Sequence, residues 1–267
     1  MTPIHFAHAN GIPGAAYRIL FQHLAPRQVH YSHALGLHMP LESRSWQPLV
    51  EELVSEIETR HRMPVIGIGH SLGAVLMFRA AIARPDLFRQ VILLDPPMFG
   101  PGRRAMMMAV RLLGLSGRLI AIARQAAQRR DYFGSREEAF AYWQSRRFFQ
   151  QFDPASFREY VEEGLVKRPE GGYTLLIPRA LEARIFQLTP VWIGRRCPAV
   201  PWRYVYAARS GLLTPREIRA HLARFPSGTM LPFEGGHMFP LEQPKACGEL
   251  IIRLIEEMEQ EKSRHSR

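Results

Sequence analysis

One pentapeptide constrains the fold of this chain more than any other feature: Gly69-His70-Ser71-Leu72-Gly73. A short apolar run at 65–68 precedes it, and an almost wholly apolar run at 74–83 follows it. The pattern G-x-S-x-G between a strand and a helix predicts a sharp, strained turn that projects the serine hydroxyl above the edge of a sheet. Side chains at the two glycines would collide with the adjacent strand or helix. The N-terminus of the following helix also places a partial positive charge and free N–H groups beside the hydroxyl.

Strand and helix patterns alternate through the N-terminal third of the chain. Strands are expected at 4–7, 28–32, 65–68 and 91–94, and helices at 15–24, 46–60 and 74–83. Such alternation predicts the α/β class, with a mostly parallel sheet covered by helices on both faces. Ligands of such sheets bind beyond the carboxyl ends of the strands, which is where the pentapeptide lies.

The alternation stops in the middle of the chain, where no clear strand pattern is found. Helices are expected there at 103–113, 117–130, 136–150, 154–167 and 179–186. Strand patterns return at 202–207 and 229–233, and an amphipathic helix is expected at 246–258. We therefore interpret residues 1–98 and 189–267 as one core, with residues 99–188 inserted into it as a helical cap.

The chain resembles the α/β-hydrolase superfamily, and in particular its serine esterases and lipases with a helical cap. The resemblance rests on the pentapeptide around Ser71, on the Gly235-Gly236-His237 loop after the last strand, and on the loop at 8–14 after the first strand. It implies the α/β-hydrolase fold with an inserted cap that covers the nucleophile. It also implies a catalytic triad in the chain order serine, acid, histidine.

The base that the resemblance implies is His237. Its Gly-Gly-His loop follows the last expected strand and precedes Pro244 and the closing helix, as in the catalytic-histidine loop of the family. His70 stands beside the predicted nucleophile, but it occupies the variable position of the pentapeptide. We interpret it as a packing residue rather than a second base.

The acid departs from the usual family pattern. Family members often carry Asp after the strand at 202–207, where this chain has Gly211. Asp95 follows an apolar strand in a Leu-Asp-Pro context, where some lipases and dehalogenases of the fold carry their acid. We predict Asp95 as the triad acid. The alternatives are Glu182, Glu234 or a serine–histidine dyad without an acid.

The oxyanion that forms during acyl transfer needs preorganised N–H donors. The resemblance implies the backbone N–H of Leu72 as one donor and an N–H of the loop at 8–14 as the other. We expect Ile12 to supply the second donor, with Gly11 and Asn10 as alternatives.

The chain is strongly basic, with a formal net charge of +11. The basic residues are nearly all arginines spread along the chain, and no nucleic-acid-binding motif is present, so we expect no nucleic-acid partner. The two cysteines, Cys197 and Cys247, form neither a disulfide framework nor a metal-ligand pattern. We therefore expect no metal and no cofactor.

The hydropathy pattern predicts a protein without an integral membrane segment. No apolar run reaches the length of about 18 residues that a transmembrane helix needs. The first strand pattern begins at residue 4, which leaves no room for a signal peptide. We expect a cytoplasmic protein that is a monomer or a homodimer.

The first part of the expected cap is rich in Met and Leu, which gives flexible apolar surface. Arg104, Arg111 and Arg118 recur every seven residues, a spacing that could form a basic face for lipid headgroups. Gly114 and Gly117 interrupt this helix, so a solvated face is the preferred interpretation. Peripheral lipid contact stays open.

These features together predict a serine carboxylester hydrolase. Ser71, His237 and Asp95 would form the triad, and the substrate would be an ester of a hydrophobic small molecule or lipid. Hydrolysis of a thioester, a lactone or a carbon–carbon bond would use the same residues. The rival class is a non-catalytic ligand-binding protein on the same fold, motivated by Gly211 at the usual acid position.

Overall fold

The computed structural model describes residues 1–189, 196–226 and 228–265. The strands along the chain are β1 (Ile4–Ala7), β2 (Val29–Tyr31), β3 (Val65–His70), β4 (Phe88–Leu94), β5 (Tyr132–Phe133), β6 (Leu165–Lys167), β7 (Tyr173–Leu175), β8 (Trp202–Ala207) and β9 (Met230–Phe233). In the part of the chain described, six of them form one parallel sheet in the order β2-β1-β3-β4-β8-β9. The predicted α/β class and the parallel sheet are confirmed.

The helices surround this sheet and fill the segment between β4 and β8. They are α1 (Arg18–Gln22), α2 (Gln47–Arg60), α3 (Leu72–Ala83), α4 (Pro101–Leu112), α5 (Ser116–Leu119), α6 (Ala121–Ala127), α7 (Arg136–Gln144), α8 (Pro154–Glu163), α9 (Arg179–Gln187), α10 (Pro215–Arg224), α11 (Phe239–Glu242) and α12 (Pro244–His265). Two short 3-10 turns lie at Gly14–Tyr17 and Pro85–Leu87. Across the described ranges, no helix combines the length and apolar character needed to cross a membrane.

The sheet is buried on both faces because its strands are apolar at nearly every position. Side chains alternate between the faces of a strand. Ile92 and Leu94 of β4 therefore pack in the cluster that contains α1 and α12, whereas Val91 and Leu93 pack in the cluster that contains α2 and α3. The core thus lies in two layers, one on each side of the sheet.

The register of the central strands brings the ends of four strands, β1, β3, β4 and β8, to one edge of the sheet. Ala7 lies opposite Gly69, and His70 lies opposite Leu94. Leu94 in turn lies opposite Val205 on β8. The residues that follow these strand ends therefore meet at the carboxyl edge of the sheet, as the sequence predicted.

The segment between β4 and β8, called the inserted segment below, differs from the prediction in its strands and in its helix ends. We expected no strand between residues 99 and 188, but β5, β7 and β6 form a small antiparallel sheet there. The helix expected at 154–167 ends at Glu163, and the chain then turns into the β6–β7 hairpin. Gly171 and Gly172 adopt positive φ values of 96° and 71° at the hairpin turn, a conformation that glycine adopts without steric cost.

Two further helices of this segment differ from the prediction. The helix expected at 117–130 is divided into α5 and α6, and the helix expected at 136–150 ends at Gln144. The proposed core boundary at residue 189 adjoins residues 190–195, which lie outside the described part of the chain.

Candidate active site

Ser71 occupies a strained turn between β3 and α3. Its φ and ψ are 53° and −112°, a combination that non-glycine residues rarely adopt. The turn is so tight that a Cβ at Gly69 would lie 2.3 Å from the Gly73 carbonyl oxygen. A Cβ at Gly73 would lie 2.1 Å from the carbonyl oxygen of Ala7. The two glycines of the pentapeptide are therefore steric requirements of this turn.

The structure brings Ser71, His237 and Asp95 into one hydrogen-bonded chain. The Oγ atom of Ser71 lies 3.0 Å from Nε2 of His237. Nδ1 of His237 lies 2.7 Å from Oδ2 of Asp95. The His237 ring is about one third exposed, whereas the Asp95 side chain is buried. In this geometry Nδ1–H donates to the carboxylate, which leaves Nε2 free to accept the proton of the Ser71 hydroxyl.

Asp95 is held at the end of β4 by the neighbouring strand β8. Its backbone N–H donates to the Val205 carbonyl at 2.7 Å, and its Oδ1 accepts the Ala207 N–H at 2.9 Å. Its φ of 44° turns the chain away from the sheet. A carboxylate with one oxygen bound to a backbone N–H presents the other oxygen to His237 in a fixed direction.

The other carboxylates considered for this role lie elsewhere. Glu182 forms an ion pair with Arg129 in the inserted segment, and Glu234 is exposed. Gly211 lies in an exposed position with φ of 64°, and a Cβ there would meet no atom within 4 Å. The loop after β8 therefore leaves the position beside His237 to Asp95.

His70 makes specific polar contacts that the sequence reasoning did not find. Its Nε2 lies 2.8 Å from the backbone carbonyl of His237, and its Nδ1 lies 2.7 Å from the hydroxyl of Tyr17. A carbonyl oxygen only accepts, so Nε2–H donates and Nδ1 accepts the tyrosine proton. Burial, together with the nearby His237, lowers the pKa of His70 well below its usual value, and the ring is neutral.

This contact links two loops of the site. The Tyr17 hydroxyl also accepts the backbone N–H of Ala9, at 3.3 Å. Tyr17 and His70 therefore connect the loop at 8–14 with the loop that carries His237. The sequence shows a histidine next to Ser71, but it does not show the hydrogen-bond partners of this histidine, because they come from distant segments.

The loop at 8–14 is anchored by a buried histidine. Nδ1–H of His8 donates to the Ala9 carbonyl at 2.8 Å, and its Nε2 accepts the Leu35 N–H at 2.6 Å. The His8 carbonyl accepts the Gly73 N–H at 3.1 Å. Burial lowers the pKa of His8 to about 4, so the ring is neutral near pH 7.

The two predicted oxyanion donors differ in the hydrogen bonding of their N–H groups. Leu72 is the first residue of α3, so its N–H has no acceptor within the helix. The Ile12 N–H donates to the Ala9 carbonyl at 3.2 Å, which closes a turn with Gly11 at a φ of 75°. The Ile12 amide is thus engaged in this turn, and its part as an oxyanion donor stays a prediction.

A cavity of about 650 Å³ extends from Ser71 and His237 into the inserted segment. Its walls are mainly apolar and aromatic, with Ile122, Trp143, Phe148, Phe149 and Phe186 among them. A volume of this size accommodates a small organic ligand.

Polar side chains also line this cavity, and several of them form one hydrogen-bonded cluster. Arg129 pairs with Glu182 and donates to the Tyr160 hydroxyl at 2.7 Å. Burial raises the pKa of Glu182. Asn10 donates from Nδ2 to the Glu182 carbonyl at 2.9 Å, which ties the loop at 8–14 to α9. Within the described ranges, no group of three or more His, Cys, Asp or Glu side chains could hold a metal ion.

The sequence matches the model of the alpha/beta hydrolase family over residues 6–250. The chain therefore belongs to that family. No curated protein matches it significantly.

Solved structures share the fold at low sequence identity. An E-2-(acetamidomethylene)succinate hydrolase is 20% identical, with 96% of this chain and 91% of that chain covered and a TM-score of 0.75. The thioesterase domain from the curacin biosynthetic pathway is 18% identical, with coverages of 94% and 91% and a TM-score of 0.71. An esterase of M. tuberculosis is 18% identical, with coverages of 96% and 86% and a TM-score of 0.69. These similarities show the fold.

Proposed function

We propose that this protein is a serine hydrolase that cleaves a carboxylic ester of a hydrophobic small molecule or lipid through an acyl-enzyme intermediate. The observation that carries the proposal is the continuous chain from Ser71 Oγ to His237 Nε2, and from His237 Nδ1 to Asp95 Oδ2, at 3.0 and 2.7 Å. A serine hydroxyl is a weak nucleophile at neutral pH, and this arrangement is one that activates it.

In the proposed reaction Ser71 Oγ attacks the ester carbonyl while His237 Nε2 takes its proton. Asp95 stabilises the imidazolium that forms, and its own position is fixed by the Ala207 N–H. His237 then returns the proton to the departing alcohol, which leaves the acyl group on Ser71. Water, deprotonated by His237, attacks the acyl-enzyme and releases the acid.

The negative charge on the carbonyl oxygen requires donors at the carboxyl edge of the sheet. Leu72 N–H at the start of α3 is the first proposed donor. The second would come from the loop at 8–14. The Ile12 N–H would serve if its bond to the Ala9 carbonyl opened on substrate binding, and Gly11 and Asn10 remain the alternatives.

The aromatic walls of the cavity support a hydrophobic substrate. Burying an apolar chain against such walls contributes about 25 cal/mol for each Å² removed from water. The same triad could hydrolyse a thioester, a lactone or a carbon–carbon bond, and the fold is shared with a thioesterase domain. A cytoplasmic location, a monomer or homodimer, and the absence of a nucleic-acid partner remain predictions.

The test is hydrolysis of p-nitrophenyl esters from acetate to laurate by the wild type and by Ser71→Ala. We expect kcat/KM to rise beyond acetate, and Ser71→Ala to lower kcat by about 10⁴-fold or more. The absence of turnover above the Ser71→Ala level for every ester, thioester and lactone tried would contradict the catalytic proposal. A preference for acetate would overturn the hydrophobic substrate alone.

A further inference from the structure

The beginning of the inserted segment carries most of the excess positive charge of the chain. Residues 101–130 contain seven arginines and neither Asp nor Glu. The arginines are Arg103, Arg104, Arg111, Arg118, Arg124, Arg129 and Arg130. Arg103, Arg129 and Arg130 pair with glutamates of other segments, Glu217, Glu182 and Glu138, whereas Arg118 and Arg124 are exposed. The exposed part of the segment is therefore positive, with no acidic residue of its own.

The α4 helix in this segment is amphipathic, but it presents its apolar side to solvent. Met106, Leu112 and Leu113 are 60%, 80% and 71% exposed. Their spacing places them on one side of the helix, together with the exposed Ala105 and Ala109. A surface helix ordinarily buries such a side, so this orientation calls for a partner that covers it.

The arginines of α4 lie on the opposite side and are half-buried. Arg103 donates to Glu217 at 2.9 Å and to the Leu212 carbonyl at 2.6 Å, which fixes that side of the helix against the core. The helix therefore cannot turn its apolar side inward without breaking these contacts. The exposed apolar side continues past α4 to Leu119, which is also exposed.

We propose that this apolar surface, formed by Met106, Met108, Leu112, Leu113 and Leu119, docks on an anionic lipid bilayer. The two properties of the segment match the two layers of such a surface. The exposed Leu and Met side chains would enter the boundary between headgroups and acyl chains, and the exposed arginines near them would meet anionic headgroups. Arg118 and Arg124 are exposed and lie beside the apolar surface in the chain.

The charge argues against the other occupants of an apolar face. A second copy of the chain docked face to face would bring the exposed Arg118 and Arg124 of each copy together, and residues 101–130 contain no carboxylate to pair with them. Nucleic acid would pair with the arginines but leave the Leu and Met side chains uncovered. An anionic bilayer satisfies both the charge and the apolar surface.

The position of the docking surface relates it to the cavity. The segment continues into α6, and Ile122, Ala126 and Arg129 line the cavity wall. A bilayer bound at α4 and α5 would therefore lie close to the cavity that contains Ser71. The docking itself requires no catalysis, so the inference goes beyond the proposed function and stands independently of it.

The experiment measures binding of the full chain to sedimented vesicles. One set contains phosphatidylcholine alone, and the other contains phosphatidylcholine mixed with an equal amount of phosphatidylglycerol. We expect binding to the anionic set, weakened by added salt because the headgroup contribution is screened. Equal binding to both sets, or no binding to the anionic set, would overturn the proposal.

Two variants, each with a matched control, test which residues form the docking surface. Leu112→Ser combined with Leu113→Ser is expected to lower the partition coefficient at least about tenfold, because both exposed side chains would enter the bilayer. The matched control is Met63→Ser, since Met63 is 57% exposed on the loop before β3. It should bind as the wild type does.

Arg118→Gln should weaken binding about fivefold, whereas Arg89→Gln, at an exposed arginine on β4, should have no effect. Circular dichroism checks that each variant is folded. A loss of self-association in the Leu112→Ser, Leu113→Ser variant, with vesicle binding unchanged, would assign the surface to a second copy and overturn the proposal. Turnover of a soluble ester by this variant should equal that of the wild type, which separates a failure of docking from a failure of the proposed chemistry.

Discussion

The carboxyl edge of the sheet and the α4–α6 segment differ in how closely the surrounding structure encloses them. At the edge, Ser71 and Asp95 both have positive φ, and the backbone N–H of each donates to a neighbouring strand or strand end, Leu94 and Val205. In α4, no side chain is buried. Strained backbone conformations persist only where the surrounding structure holds them in place. The proposed chemistry needs side chains in fixed directions, and these side chains lie at the edge of the sheet.

The same contrast is visible in the glycines. A Cβ at Gly73 would penetrate the Ala7 carbonyl, whereas a Cβ at Gly102 in α4 would meet nothing within 4 Å. The inserted segment therefore tolerates changes of its surface, and the edge of the sheet does not. The proposed catalytic and docking functions of this chain therefore depend on different physical properties of its two regions.

The largest expected effect is on the proposed triad acid. Asp95→Asn should lower kcat by about 10⁴-fold, because an amide at this position no longer fixes the His237 tautomer or stabilises its cation. The matched control is Glu234→Gln, which makes the same chemical change at an exposed carboxylate and should leave kcat unchanged. Steady-state kinetics on a soluble ester measure both. Full activity of Asp95→Asn would show that Asp95 is structural.

The second effect concerns the glycine pair. Gly73→Ala should lower the free energy of unfolding by about 3 kcal/mol or more, because the backbone of the turn must shift to admit the methyl group. Gly102→Ala, in the second position of α4, should raise it by up to about 1 kcal/mol through the unfolded chain. Urea unfolding measures both. Equal effects of the two substitutions would remove the distinction drawn between the regions.

The fold was predictable from sequence where local pattern and packing agree. The alternation of apolar strands with helices predicted the parallel sheet, and the strained Gly-x-Ser-x-Gly turn predicted the conformation found at Ser71. The β6–β7 hairpin was missed because its strands are three residues long each and follow a helix. The signal available was the Gly171-Gly172 pair, which is typical of tight hairpin turns.

The meeting of Ser71, His237 and Asp95 was predicted because all three follow strand ends of one sheet. The contact of Tyr17 with His70 was not predicted, because this hydrogen bond joins residues far apart in sequence. The engagement of the Ile12 N–H also depends on how the loop at 8–14 closes, which its residue types leave open. The outward apolar side of α4 could not be read from periodicity, because a periodic pattern does not say which side meets the core.

Acid pH should weaken the edge of the sheet through His8. Its pKa is about 4 in the folded protein because of burial, and about 6.5 in an unfolded chain. The unfolded chain therefore binds more protons between these values, so stability is full above pH 6.5 and is lost as pH falls towards 4.

The expected loss from His8 alone is about 3 kcal/mol, and the neutral buried His70 acts in the same direction. The unfolding free energy, measured at several pH values between 7.5 and 4, checks this expected loss. The variant His8→Gln should be less stable at neutral pH but should show a shallower pH dependence. An unchanged slope in this variant would contradict the assignment.

The smallest effect is expected at the contact that links the two loops. Tyr17→Phe removes the hydroxyl from His70 Nδ1 and from the Ala9 N–H, and should cost about 1–3 kcal/mol of stability. The half-buried Tyr173 in the small sheet offers the control Tyr173→Phe, for which no change above about 0.5 kcal/mol is expected. If Tyr17 positions the His237 loop through His70, kcat should also fall in folded Tyr17→Phe, with KM little changed. Unaltered kcat would limit Tyr17 to a structural role.

The most direct test of the central claim is covalent labelling of Ser71 by a fluorophosphonate probe, because it requires no knowledge of the substrate. The probe reacts with a serine that its neighbours have activated. We predict that the wild type is labelled at Ser71, that Ser71→Ala is not labelled, and that Asp95→Asn is labelled far more slowly. The account would be contradicted if the folded wild type remained unlabelled, or if Ser71→Ala were labelled as strongly as the wild type.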